Sequence, residues 1–68
     1  MDFNKAEKLR KSLIPADGFN LVGVDDYELP EEALYLIKHS KDHDELMVLK
    51  KKKEAAGVKC YIYTPDME

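Results

Sequence analysis

The sequence predicts one α+β domain spanning residues 1–68. Its expected form is a two-layer sandwich: a three-stranded mixed sheet with two helices on one face, in the order α-β-β-α-β. Three observations carry this. Asp42 to Ala56 opens on a capping-box pair, Asp42 with Glu45, and closes on Gly57, the start and stop signals of a helix. Val58-Lys59-Cys60-Tyr61-Ile62-Tyr63 alternates in the two-residue period of a strand. Ahead of the helix, Ala33-Leu34-Tyr35-Leu36-Ile37 is an apolar run of strand length. Strand, helix, strand makes a C-terminal βαβ unit, and the earlier chain is expected to pack against it.

In chain order, the first element is a helix from Phe3 to Leu13. Phe3, Ala6, Leu9, Leu13 and Ile14 recur at three- and four-residue spacing and form one apolar stripe. Asp2 is placed to cap it, with Asn4 and Glu7 as an alternative capping box. Pro15 ends it, having no amide hydrogen and disfavouring helix at Ile14. Pro15-Ala16-Asp17-Gly18 reads as a turn, and Phe19 to Val24 as a strand with apolar groups on both faces. Asp25 to Glu32 is an acidic connection with five carboxylates in eight residues. Oxygen ligands of that kind suit a hard cation, but the spacing of a calcium loop is missing, so a solvated loop is expected.

Ala33 to His39 admits two readings. Pro30 with Glu31 and Glu32 resembles a helix start, whereas Leu34 to Ile37 has strand length and composition, and the following helix needs a strand before it. Strand is the reading adopted. In the second helix, Leu46, Leu49 and Ala56 share a stripe, while Lys50 to Lys53 wrap most of the way round and suit the negative helix end. Thr64-Pro65-Asp66 ends the last strand, and Met67 and Glu68 are expected to fray.

Composition bounds the function. At 44% hydrophobic and 37% charged the chain is too apolar for disorder, and no apolar run approaches the ~20 residues of a membrane span. Nothing at the N-terminus reads as a secretory signal, and a single cysteine, Cys60, rules out an internal disulfide. A cytoplasmic location is therefore expected. The net charge of −3 argues against nucleic acid as the main partner. It is unevenly spread: residues 1–14 carry +2, residues 15–45 carry −7 and residues 46–68 carry +2.

No motif names an activity. There is no Walker loop, no glycine-rich dinucleotide fingerprint and no nucleophile elbow, so no enzyme, cofactor or catalytic residue is expected. The best small-ligand candidate is the loop 39–44, through His39, Ser40, Asp42 and His43, at the C-terminal end of a strand, where ligands of parallel units gather. Two histidines are too few for a zinc centre, so no metal is assigned.

A surface says more. With both helices on one face, Tyr35, Ile37, Lys59, Tyr61 and Tyr63 are expected on the open one, an apolar, tyrosine-rich patch of the kind that binds protein. A protein partner or self-association as a homodimer is the leading expectation. Single-stranded nucleic acid stacked on the same tyrosines is the alternative. The element order is similar to that of KH-type domains, but their Gly-x-x-Gly loop is absent and no functional residue carries over.

Overall fold

The computed structural model describes residues 3–29 and 32–67. The order is α1 (Phe3–Ser12), β1 (Phe19–Val24), β2 (Leu34–Ser40), α2 (His43–Ala55), β3 (Lys59–Tyr63) and a 3-10 turn, Pro65–Met67. This is the α+β succession expected, and the stretch after Ala33 is a strand. The expected Asp2 cap lies outside the described residues, as do Pro30, Glu31 and Glu68. Met67 does not fray: its sulfur accepts from the Thr64 amide at 3.2 Å.

Both helix ends follow from local chemistry. At the end of α1 the Leu13 and Ile14 amides bond back to Arg10 and Lys11, and Pro15, buried, stops the run. In α2, Asp42 accepts from the Asp44 and Glu45 amides. The C-terminal turn closes through Gly57, whose amide reaches Glu54 and whose φ of 89° suits a residue without a β-carbon.

The sheet departs from expectation. Its order is β2-β1-β3, and β1 pairs antiparallel with both neighbours. The sheet is therefore antiparallel throughout rather than mixed. β2 and β3 run parallel to each other, yet β1 lies between them, so the expected βαβ unit is split by the strand that precedes it. The hydrophobic pattern misses this because β1 is apolar on both faces, which suits a central strand as well as an edge.

The two helices also lie on opposite faces. On one, Leu21, Leu46 and Cys60 form the core, with Phe19, Ile37, Leu49 and Ile62 packed around them, so α2 covers this side. Residues alternating with these point the other way. There Val22 is fully buried and Tyr63 nearly so, although α2 cannot reach them. α1 covers them: the Asn20 side chain donates to the Leu13 carbonyl at its end, and Ala6, Glu7 and Arg10 border Val24 and Leu34.

A bulge explains part of the rearrangement. The β1–β2 register runs Leu21↔Lys38 and then Val22↔Leu36, leaving Ile37 unmatched. The extra residue lets Ile37 turn into the α2 core while Leu36 keeps company with Val22. Simple alternation counted back from Ser40 would put them the other way round.

Candidate functional site

The five residues expected to share an open face do not. Tyr35 and Ile37 lie on the α2 side, Ile37 packed against the core and Tyr35 over Gly23. Lys59, Tyr61 and Tyr63 lie on the α1 side, in register with Val24, Val22 and Asn20. Tyr63 is buried there, and burial pushes its hydroxyl pKa up. The continuous tyrosine platform is thus divided between two faces.

What remains on the α1 side is narrower. Leu36, Val22 and Tyr61 form one row across the three strands. Val22 has no exposed surface, whereas Leu36 is 48% and Tyr61 54% exposed. α1 therefore shields the middle strand and leaves both flanks of the row in solvent. Lys59 is beside Tyr61 in sequence, but its ammonium is held by Asp26 at 3.3 Å. Beyond the row, a groove of about 460 Å³ opens between α1 and the segment around Val24 and Leu34. Its apolar lining is Ala6, Val24, Ala33 and Leu34, with charged residues around them.

The described residues of the connection beside this groove are tied by hydrogen bonds. The Asp25 amide donates to Ala33 across its base at 2.7 Å, and the Asp25 carboxylate accepts from the Tyr27 amide. Tyr27 and Leu29 project outward, 99% and 61% exposed. No hydrophobic period anticipates the groove, because its lining comes from three separate parts of the chain: α1, the end of β1 with the connection after it, and the start of β2.

The loop 39–44 is occupied by structural work. The His39 and His43 rings are on opposite sides of the sheet. His39 Nδ1 donates to Asn20 Oδ1 at 2.6 Å on the α1 side, a polarity fixed because Asn20 spends its own amide hydrogens on Leu13. The His43 ring instead packs edge-to-face with Phe19 on the α2 side, the ring centres 5.2 Å apart. The two cannot ligate one ion, and among the described residues no group of three or more histidine, cysteine or acidic side chains could hold a metal.

Ser40 and Asp42 cap α2 in a three-part relay. The Asp42 amide donates to Ser40 Oγ at 3.0 Å, and Ser40 Oγ donates to Glu45 Oε2 at 3.1 Å. The capping box is therefore closed through a serine hydroxyl instead of directly. Lys38 pairs with the same Glu45 carboxylate, which holds its pKa below the ordinary range, with Ser40 assisting. Sequence spacing marked Asp42 and Glu45 but gave no sign of the serine between them.

Cys60 is a core residue. Its thiol lies 3.7 Å from the Lys50 carbonyl, and burial raises its pKa away from the reactive thiolate. Among the described residues no helix is long and apolar enough to cross a membrane. Comparison with protein-family models, curated proteins and solved structures found no match to this chain.

Proposed function

We propose that this chain is a non-enzymatic interaction module that binds another protein over the α1-side flank of its sheet. One observation carries the reading: Leu36 and Tyr61 stand about half exposed on either side of a fully buried Val22. A leucine and a tyrosine left in solvent beside a closed core cost hydration that a partner would recover. The free edges of β2 and β3 support the same reading, since each strand pairs only with β1 among the described residues.

Nucleic acid fits this flank less well. Tyr35 is on the other face, Lys38 and Lys59 are already paired with carboxylates, and four carboxylates line the nearby groove. Phosphates meeting such a surface would be repelled.

A photo-crosslinking residue in place of Leu36 or Tyr61, expressed in cells, tests the proposal. A discrete protein adduct is expected at both positions and not at Lys8. Adducts at neither position, together with a constant mass in light scattering across concentrations, would refute both the partner and the self-association forms.

A further inference from the structure

We infer that the groove beside Leu36 takes a basic segment of the partner protein, in which lysine or arginine side chains flank an apolar anchor. The inference rests on the protein-binding reading above and names the partner's chemistry.

The groove is of a size that accepts two or three peptide side chains, within the roughly 300–1,000 Å³ of ordinary binding pockets. It has two kinds of wall. Ala6, Val24 and Leu34 offer apolar contact for an aliphatic anchor or the methylene stem of a lysine. Glu7, Asp25, Asp26 and Glu28 also line it, against the single guanidinium of Arg10.

The cations within reach do not neutralise this rim. Arg10 is held by Glu7, its Nε donating to Oε1 at 2.6 Å. Lys59 is held by Asp26. Asp25 and Glu28 have no cationic partner among the described residues. Two carboxylates thus face a partly apolar cleft with their charge uncompensated. A site of that kind attracts positive charge, repels negative charge and rewards an occupant that also buries hydrocarbon. Leu34 in the groove and Leu36 in the exposed row lie on the same side of β2, so one extended segment can engage both.

The other candidate occupant is the protein's own second helix. Val48 is 57% exposed on α2, with Lys51 and Lys52 one turn on. That surface is on the far side of the sheet, so a second copy would have to join head to tail, and the mass would grow without a plateau.

The test is an NMR titration of the full chain with three acetylated hexapeptides: alternating leucine and lysine, alternating leucine and glutamate, and alternating serine and lysine. The leucine–lysine peptide is expected to shift the amides of Ala6, Val24, Ala33 and Leu34 in a saturable way. Glu28→Lys should weaken it about fivefold or more, and so should raising the salt. The serine–lysine peptide should bind more weakly, and the leucine–glutamate peptide not at all. Equal binding of the glutamate peptide, or shifts that bypass the groove, would overturn the inference. So would growth of the chain's own mass with concentration that Lys52→Glu abolishes, since the occupant would then be a second copy. Crosslinked adducts at Leu36 with no lysine-peptide binding would leave the interaction module standing and remove only the basic partner.

Discussion

The ring of Tyr35 lies over Gly23, its partner across the β1–β2 ladder, so closely that a β-carbon on Gly23 would sit 2.4 Å from the ring's Cζ. The pair is a mutual arrangement: the aromatic covers backbone that a glycine leaves bare, and the glycine leaves room for the aromatic.

Gly23→Ala should therefore push the Tyr35 ring outward. The phi of Gly23 is not positive, so alanine adds no backbone strain and reduces the entropy of the unfolded chain. The two effects oppose each other, and the net change should stay within about 1 kcal/mol. In a Tyr35→Ala background the clash is gone, and the same substitution should stabilise by about 0.4–1 kcal/mol. Urea unfolding of the four variants in a double-mutant cycle gives the coupling directly.

Asn20 is a buried polar side chain at the junction of three elements, joining the end of α1 to β1 and, through His39, to β2. Asn20→Leu keeps the volume and removes both bonds, leaving the Leu13 carbonyl and the His39 ring nitrogen without this partner. A loss of about 1–3 kcal/mol is expected. Hydrogen exchange should show it concentrated in α1, whose amides should lose more protection than those of β1. A uniform loss would show that Asn20 stabilises the sheet alone.

The α2 cap makes stability depend on acid. The Glu45 pKa is held down chiefly by the hydrogen bond from Lys38, then by that from Ser40. A carboxyl lowered in the folded state stabilises above its ordinary value of 4.5, and that contribution fades as the pH falls through the lower folded value. Asp17, lowered by Lys41, acts in the same direction. Midpoints of urea unfolding should fall on going from neutral pH into this acid window. Glu45→Gln should flatten the slope. Ser40→Ala should cost about 0.5–2 kcal/mol at neutral pH, because the Asp42 amide loses its acceptor and the relay opens.

Leu46 is the anchor of α2, with no exposed surface, whereas Val48 two positions on is mostly in solvent. Leu46→Ala should cost about 2–5 kcal/mol. For a chain of 68 residues stabilised by about 0.05–0.15 kcal/mol per residue, that is much of the total, and circular dichroism should show a partly unfolded population at room temperature. Val48→Ala should change stability by no more than about 0.5 kcal/mol.

Element order was legible in the sequence because each element carries its own punctuation: Pro15 after α1, Gly18 before β1, Asp42 and Gly57 around α2. Strand order was not. The apolar β1 sequence contains nothing that says whether it sits at an edge or in the middle. Face assignment failed at one residue: the bulge at Ile37 reverses the parity of β2, so the tyrosines separate. How the two histidines sit was hidden for a related reason. His39 and His43 straddle a strand end, and only the backbone path shows that their rings diverge. Asn20, which holds the α1 end to the sheet, leaves no signal in a hydrophobic pattern.

The position of β1 has a consequence for how the chain assembles. Among the described residues every rung of the sheet runs through this strand, and β2 and β3 are not paired with each other. The β1–β2 ladder closes a nearby hairpin, while β3 must find partners more than thirty residues back in the chain. The short-range ladder is then the natural nucleus, and docking of β3 is the late event. Until that docking, β1 has a vacant side that accepts either its own β3 or that of a neighbouring chain. The same middle strand that makes the finished sheet cooperative therefore leaves the unfinished one open to exchange of its last strand.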